Sequence, residues 1–333
     1  MKKMYIKGSQ AHAGGPIYRG FERAWEQVGY KVCTYSSLHD LTDEDDEYEL
    51  MLGDSEYASP WYGSRHNHII SGYTLEESQY MYKMNIPIHH KILQRAKKAY
   101  MFVQPTFFAM PWVQHANYVS WCRDSPLINE INELEHVKLW HWNDILPENK
   151  KEWYGEWKEY TTIPLAFDSI SYKQVENKEY EYDICFVGGW VDNGLNEKRS
   201  IMIEHFRKLM SSNLKCGIFV GKNISHEHEN LLLYNSKLTL NIHDAYQRIL
   251  GNDTNERTFK SLGLGGALVT DNIRQIGNIF PDLPMFSTPD EMMMLIDRYL
   301  TNPELLKETK KHYRNEIATK HTYIDRVKQM MEL

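Results

Sequence analysis

The sequence predicts an α/β protein made of two doubly wound, Rossmann-like domains that face a cleft. Short apolar segments typical of buried strands alternate with amphipathic segments typical of helices, which predicts parallel sheets with right-handed crossovers. The alternation stops near residues 165–180 and then starts again, so we expect two sheets. A chain of 333 residues is long for one domain and sufficient for two.

The same patterns place the individual elements. In the first half we expect strands at 4–7, 30–35, 48–53, 99–103, 118–121 and 137–142, and helices at 16–28, 76–98, 127–135 and 148–158. In the second half we expect strands at 182–189, 216–221, 238–243, 266–271 and 284–288, and helices at 196–211, 226–234, 255–263, 289–298, 303–317 and 322–332. These elements predict domains over 1–170 and 171–315 and a final helix within 316–333 that packs back towards the first domain. Ligands of such sheets bind at the carboxyl ends of the strands, so the cleft is the expected site.

Composition narrows the classes of function. A net charge of -7 and a pI of about 6.1 argue against a general polyanion-binding protein. The 4 cysteines are scattered and predict reduced thiols rather than disulfides or a zinc site. Because the sequence shows no apolar leader and no long apolar run, we expect no membrane span and a location in the cytoplasm of a bacterium or a phage-infected host cell.

Glycine-bearing loops follow two of the predicted strands. The loop GSQAHAGG ends at Gly14 and Gly15 before the first helix, where a backbone without side chains lets a ligand approach closely. His12 lies in this loop and is placed to reach the cleft. The second turn, Gly188 and Gly189, leads into a basic helix. Either loop is equally well explained as an ordinary tight turn between a strand and a helix.

The segment NERTFKSLGLGGALVTD, residues 255–271, is the most informative motif. It predicts a helix that begins with polar residues, passes through a run of glycines and enters a strand. Asn255, Arg257 and Lys260 lie in the first turns of this helix. The small residues that follow favour a helix start close to a ligand, and the alternative is a capped helix with a solvated face.

These motifs together resemble a known family. FVGG (186–189), IFVG (218–221), LNIH (240–243) and the segment 255–271 occur in the order and spacing of the nucleotide-sugar domain of GT-B glycosyltransferases. The chain is most similar to the CgeB-like group and to phage DNA beta-glucosyltransferases. The resemblance covers the C-terminal half well and continues more weakly through residues 99–112 and 159–170.

The resemblance implies transfer of a sugar from a nucleotide-sugar, with a UDP-sugar as co-substrate and no tightly bound cofactor or metal. The domain 171–315 would bind the donor and the domain 1–170 the acceptor. The implied donor contacts are Gly188 and Gly189 with Lys198 or Arg199 at the diphosphate, Val220, Gly221 and Lys222 at the nucleobase, Arg257 at a phosphate, and position 260 at the ribose.

The sequence departs from the family at position 260. The family has a glutamate there, whose carboxylate accepts hydrogen bonds from ribose hydroxyls, and a lysine cannot accept them. Either Glu256 or Asp253 takes this task, or Lys260 meets an extra negative charge on the donor. Retaining members carry two glutamates eight residues apart, whereas this chain has Asn252 and Lys260, which mildly favours an inverting reaction.

An inverting transfer requires a general base on the acceptor side. Asp54 follows the third predicted strand and is the first candidate, and His12 is the second because imidazole titrates near neutral pH. Asp54 is equally well explained as a cap of a turn. The phage enzymes carry an aspartate after the strand matching 99–103, where this chain has Gln104.

Three functions remain open at this stage. The leading hypothesis is sugar transfer to an acceptor hydroxyl, and its sharper version is transfer to a hydroxymethylated base in phage duplex DNA, with the basic stretch Lys91, Arg95, Lys97 and Lys98 near phosphate. A sugar-nucleotide epimerase shares the architecture, since a fold does not decide a function. A non-catalytic protein that binds a nucleotide-sugar is the third. The histidine pairs near residues 89 and 227 lack a third ligand in the sequence, so we expect no metal.

Overall fold

The computed structural model describes residues 1–7, 14–35, 41, 47–52, 90–102, 126–144, 146–149, 158, 160–190, 198–221 and 224–333. The chain forms two compact units. The first comprises Met1–Ile163 together with Val327–Leu333, and the second comprises Pro164–Arg326.

The first unit contains a six-stranded sheet in the order β2-β1-β3-β4-β5-β6, and all neighbouring strands are parallel. Its strands are β1 Lys3–Lys7, β2 Lys31–Tyr35, β3 Glu49–Leu52, β4 Lys98–Phe102, β5 Val137–His141 and β6 Thr161–Thr162. Its described helical segments are α1 Gly14–Gln27, residues 90–95, α2 Pro126–Asn132 and the short 3-10 turn Pro147–Asn149.

Aromatic side chains fill the core of the first unit. Trp25 on α1 lies 5.4 Å, between ring centroids, from Tyr100 on β4, and Phe102 lies 5.0 Å from Trp140 on β5. Trp25, Tyr100, Phe102 and Trp140 are all fully buried. Edge-to-face and tilted ring pairs of this kind add about 0.5–1.5 kcal/mol each beyond their buried area. Aromatic residues make up 13% of the sequence, and part of them serves packing in this unit.

The second unit contains a five-stranded sheet in the order β11-β10-β9-β7-β8, again with all neighbours parallel. Its strands are β7 Ile184–Gly188, β8 Cys216–Val220, β9 Leu238–Asn241, β10 Leu268–Asp271 and β11 Met285–Phe286. The helices that follow residue 164 are α3 Lys198–Met210, α4 His226–Asn235, α5 Ala245–Leu250, α6 Glu256–Lys260, α7 Arg274–Ile279, α8 Pro289–Leu300, α9 Pro303–Lys320 and α10 Tyr323–Met331, with a 3-10 turn at Lys178–Tyr180 and a π-helical turn at Ser261–Gly265.

The predicted class, an α/β protein with two doubly wound parallel sheets, is confirmed. The sequence pattern missed the helices Ala245–Leu250 and Arg274–Ile279, because six residues make fewer than two turns and show no clear periodicity. It also missed the two-residue strand β6. The predicted strand at 118–121 and most of the predicted helices at 76–98 and 148–158 lie outside the described residues.

The glycine run of residues 263–266 serves internal packing. A Cβ at Gly263 would lie 2.8 Å from the ring of Phe167, and a Cβ at Gly265 would lie 2.9 Å from the carbonyl oxygen of Leu233. Gly266 has a φ of +78° and its Cβ position lies 2.7 Å from Cα of Lys310. These glycines let the chain after α6 pack closely against Phe167, Leu233 and Lys310. The expectation that they bring the helix start close to a ligand stays a prediction.

Candidate functional site

Arg257 is the centre of a polar cluster at the carboxyl edge of the second sheet. It projects from α6 to the ends of β7 and β9, where its Nε donates to the carbonyl oxygen of Val187 at 2.6 Å and its Nη1 donates to Oδ1 of Asn241 at 2.9 Å. The guanidinium also lies over the ring of Phe186, 5.0 Å from its centroid. No carboxylate of the described residues forms an ion pair with Arg257, so its remaining N–H groups are oriented but uncommitted.

Gly188 makes this position of Arg257 possible. A Cβ added at Gly188 would overlap Nη2 of Arg257 and lie 2.8 Å from its Cζ. Gly189 differs, because a Cβ there would meet no described atom within 4 Å. The structure thus brings together two residues that the sequence analysis assigned to the donor diphosphate, and it shows that they contact each other directly.

Lys198 adds a second buried cation. It is the first residue of α3, it is 5% exposed, and its Nζ lies 3.1 Å from Oδ1 of Asp244. Burial lowers the pKa of Lys198, Asp244 partly offsets this, and the neighbouring charge of Arg257 lowers it further. Arg199, in contrast, is exposed and lies over the ring of Trp190. Of the two basic residues expected at a diphosphate, Lys198 is the one placed near Arg257.

Val220 and Gly221 end the neighbouring strand. Val220 is paired in register with Gly188, and the amide of Gly221 donates to the carbonyl oxygen of Gly188 at 2.9 Å. Gly221 has a φ of +61°, a conformation that glycine adopts at little cost. Lys222 lies outside the described residues.

Lys260 lies between two carboxylates. Its Nζ is 2.8 Å from Oε1 of Glu229 on α4 and 3.6 Å from Oε2 of Glu256, and Tyr172 donates its hydroxyl to the other oxygen of Glu229 at 2.9 Å. Burial would lower the pKa of Lys260, but Glu256 and Glu229 outweigh it and raise the pKa. The charge of Lys260 is therefore already balanced within the protein.

The two carboxylates that the sequence analysis offered for the ribose are both deeply buried. Asp253 is 4% exposed, its Oδ1 has no hydrogen-bond partner, and burial raises its pKa to about 7. Glu256 is 8% exposed, its Oε1 also lacks a partner, and burial raises its pKa. Glu229, which the sequence analysis missed, has a side chain that is 17% exposed and lies among the charged residues of HEHEN, where no pattern distinguishes it.

Residues 174–332 match the family model described as glycosyl transferase-like. The matched segment covers the second sheet and the whole carboxyl-edge cluster. Over this segment the chain is similar to that family. No curated protein matches the chain.

Solved structures that are similar to this chain are glucosyltransferases. T4 phage BGT in complex with UDP and Mn²⁺ is 13% identical over 100% of both chains, with a TM-score of 0.52. The DNA modifying enzyme beta-glucosyltransferase, studied with and without uridine diphosphoglucose, is 12% identical over 100% of both chains, with a TM-score of 0.53. An alpha-glucosyltransferase in complex with UDP-glucose and DNA containing an abasic site is 12% identical over 99% of this chain and 98% of the other, with a TM-score of 0.57. At this identity the likeness establishes the GT-B fold.

A buried histidine–aspartate pair supports the polar cluster at the carboxyl edge of the second sheet. Nδ1 of His243 lies 2.6 Å from Oδ1 of Asp271, and Nη1 of Arg248 lies 3.2 Å from Oδ2 of Asp271. Nε2 of His243 lies 2.8 Å from the hydroxyl of Thr254. Burial would raise the pKa of Asp271, but His243 and Arg248 outweigh it and lower the pKa. The sequence analysis did not select these residues, although Asp271 ends β10 and His243 lies two residues after β9, where ligand-site residues collect.

The site residues expected in the first unit are mostly outside the described part of the chain. His12, Asp54 and Gln104 lie there, so their roles stay predictions. Gly14 and Gly15 begin α1, and Gly15 is buried.

In the predicted basic stretch of the first unit, two of the four cations contact the protein's own chain. Nζ of Lys97 pairs with Glu47 at 3.0 Å, and Nζ of Lys98, which is half-buried, donates to the carbonyl oxygen of Met331 at 3.4 Å. Lys91 and Arg95 are exposed.

No helix in the described ranges is long and apolar enough to cross a membrane. Across the same ranges, no three His, Cys, Asp or Glu side chains are grouped so as to hold a metal ion.

Glu229 can be tested by its effect on stability. We expect Glu229→Gln to lower the free energy of unfolding by about 2 kcal/mol at pH 7, because it leaves the buried ammonium of Lys260 with a weaker partner. Burial would raise the pKa of Glu229, but Lys260 outweighs it and lowers the pKa. Its contribution is therefore present above the unfolded-state pKa, near 4.3, and is lost as the pH falls through the folded-state pKa.

The matched control is Glu227→Gln on the same helix. Glu227 is exposed, so this change should stay within about 0.5 kcal/mol. Urea denaturation of the three proteins at pH 7 and at pH 3 provides the measurement. Equal stabilities of the two variants at pH 7 would contradict the assigned role of Glu229.

Proposed function

We propose that this chain is a glycosyltransferase that binds a UDP-sugar at the carboxyl edge of its second sheet and transfers the sugar to a hydroxymethylated base in duplex DNA. The observation that carries the proposal is the buried guanidinium of Arg257, held against Gly188 with donors to spare and with Lys198 beside it. Arg257 has no ion pair among the described residues, and Lys198 lies beside it, paired with Asp244. This arrangement suits a diphosphate, since Arg presents planar donors to phosphate oxygens.

The donor fits the rest of the carboxyl edge. Lys198 begins a 13-residue helix, whose free amide groups and dipole favour a phosphate at its start. Val220 and Gly221 lie beside Gly188 at the end of β7, and their backbone is the proposed contact of the nucleobase. For the ribose, we propose Glu229 rather than Asp253 or Glu256, because its carboxylate is the one of the three that is partly exposed. A related structure holds UDP and another holds UDP-glucose with DNA, which supports both the donor and the acceptor class.

We further propose an inverting transfer with Asp54 as the general base and His12 as the second candidate. The base would take the proton of the acceptor hydroxyl, while Arg257 and Lys198 stabilise the negative charge that develops on the leaving diphosphate. Retaining members carry two glutamates eight residues apart, and this chain has Asn252 and Lys260 at those positions, which supports inversion. The anomeric configuration of the product, measured by NMR, decides this point, and Asp54→Ala with unchanged turnover would refute the first assignment of the base.

The donor proposal predicts selective stabilisation by uridine nucleotides. We expect UDP and UDP-glucose at 100 times their Kd to stabilise the protein by about 2.7 kcal/mol, because a ligand that binds only the native state adds RT ln(1 + [L]/Kd). A thermal-shift series with UDP, GDP, ADP and CDP measures this. Equal shifts with all four nucleotides would contradict a uridine-specific donor site.

Transfer is tested with UDP-[14C]glucose and duplex DNA that contains either 5-hydroxymethylcytosine or cytosine. We expect incorporation of label only into the hydroxymethylated duplex and a loss of incorporation as salt is raised. Conversion of the UDP-sugar without any acceptor would instead favour an epimerase. Donor binding with neither conversion nor transfer to any acceptor tested would favour the non-catalytic alternative.

A further inference from the structure

A second basic site lies at the amino edge of the second sheet. A cavity of about 630 Å³ is lined there by five cationic residues, Lys237, Lys307, Lys310, Lys311 and Arg314. We call this cavity the basic pocket. Its remaining lining is apolar and comes from Leu300, Pro303 and Leu306.

The basic pocket is separate from the carboxyl-edge cluster. Lys237 directly precedes β9, while Asn241, which accepts from Arg257, is the last residue of that strand. A strand rises about 3.3 Å per residue, so the four steps from Lys237 to Asn241 separate the two sites by about 13 Å. One ligand at the carboxyl edge therefore does not account for the five cations at the amino edge.

The charges of the pocket are concentrated on one face of α9. Lys307, Lys310, Lys311 and Arg314 stand three or four residues apart, so their side chains are neighbours on the helix surface. Like charges at this spacing each cost the helix about 0.2–0.5 kcal/mol. The chain as a whole carries a net charge of -7, so this cluster is a local exception rather than a reflection of composition.

Three of these five cations are held by the protein's own chain and two are available. Nζ of Lys237 pairs with Oδ1 of Asp183 at 2.7 Å. Nζ of Lys310 donates to the carbonyl oxygen of Ser236 at 2.8 Å, and Nε of Arg314 donates to that of Leu264 at 2.7 Å. Burial lowers the pKa of Lys310 to about 8, with Arg314 and Lys237 lowering it and Glu181 opposing them. Lys307 and Lys311 are exposed and make no ion pair with any described residue. Lys310 and Arg314 are thus fixed by backbone contacts. Lys307 and Lys311, which we call the rim lysines, are exposed and can adjust to a ligand.

We propose that the basic pocket binds a small compound that carries at least two phosphate groups. The cavity falls within the range of about 300–1,000 Å³ found for small-molecule sites. Lys310 and Arg314 would meet one phosphate and the rim lysines another, while the apolar residues would contact the carbon skeleton. Anion binding would also relieve the mutual repulsion of the cations.

Isothermal titration calorimetry with inorganic tripolyphosphate, in metal-free buffer at low salt, tests the proposal. The informative variant is Lys307→Glu/Lys311→Glu, which changes two exposed side chains. We expect it to bind tripolyphosphate at least 10-fold more weakly than the native protein at the amino-edge site. The matched control is Lys178→Glu/Lys320→Glu, which makes the same change in net charge at two other exposed positions of the second unit and should leave the affinity within about 2-fold.

The outcomes separate this proposal from the proposed donor site. UDP affinity should be the same in the native protein and in Lys307→Glu/Lys311→Glu, whatever its value. Four results would overturn the basic pocket: no binding of tripolyphosphate, an equal loss in both double variants, binding that Arg257→Gln abolishes and Lys307→Glu/Lys311→Glu retains, or a loss confined to the binding of a duplex oligonucleotide.

Discussion

Gly188→Ala is expected to weaken UDP-glucose binding about 100-fold. The new methyl group would overlap the guanidinium of Arg257, so this side chain must leave its position against the end of β7. Displacement removes the charge-assisted contacts that we assign to the diphosphate, each worth about 1.5–3 kcal/mol. A 100-fold change corresponds to about 2.8 kcal/mol, within what one or two such contacts supply. Calorimetric titration with UDP-glucose measures the effect.

Gly277→Ala is the control, since its Cβ would meet only the end of the Met285 side chain, at an ordinary contact distance of 3.4 Å. We expect it to bind UDP-glucose within about 3-fold of the native protein, because Gly277 lies on α7 and contacts none of the proposed donor residues. Both variants must show cooperative thermal unfolding for the comparison to count. Should Gly188→Ala disturb folding, Arg257→Lys provides a second measurement, because lysine keeps the charge and loses the two-pronged geometry. Native affinity in both Gly188→Ala and Arg257→Lys would refute the phosphate assignment.

Much of the fold follows from local sequence patterns. The strands β7, β9 and β10 are almost completely buried, and each is a short apolar run that the sequence shows directly. The helix Pro303–Lys320 begins with a capping asparagine and a proline, both of which are start signals in sequence. What local patterns miss are six-residue helices such as Ala245–Leu250, whose existence depends on tertiary contacts.

The sequence predicted several residues of the candidate site but not which of them contact each other. Gly188 and Arg257 were both selected, because glycine turns and basic helix starts are typical of phosphate sites. Their direct contact joins a strand end to a helix that comes much later in the chain, and no spacing rule encodes it. The same holds for Glu229 and Lys260, which neutralise each other across two helices. Sequence reasoning detected that position 260 is anomalous, and only the fold identifies the carboxylate beside it.

Asp271→Asn is expected to give the largest loss of stability, about 3–5 kcal/mol at pH 7. The carboxylate is 1% exposed and accepts from the backbone N–H and Nδ1 of His243 and from Arg248. An asparagine keeps the shape but removes the charge, and its amide N–H groups would face donors. Breaking a buried charged network from one side costs about this much because the partner groups stay buried. Guanidinium denaturation of the native and variant proteins measures it.

Asp183→Asn controls for the chemistry of the change. Asp183 also accepts a hydrogen bond from a backbone amide and pairs with a lysine, Lys237, but its side chain is 22% exposed, so we expect a loss of no more than about 1 kcal/mol.

Because the folded-state pKa of Asp271 is lowered, its contribution to stability is present above about pH 4 and is lost as the pH falls through that pKa. The gap between the native protein and Asp271→Asn should therefore narrow in acid. A gap that stays constant from pH 7 to pH 3 would mean that the network of His243, Arg248 and Asp271 is held by packing rather than by the charge of Asp271.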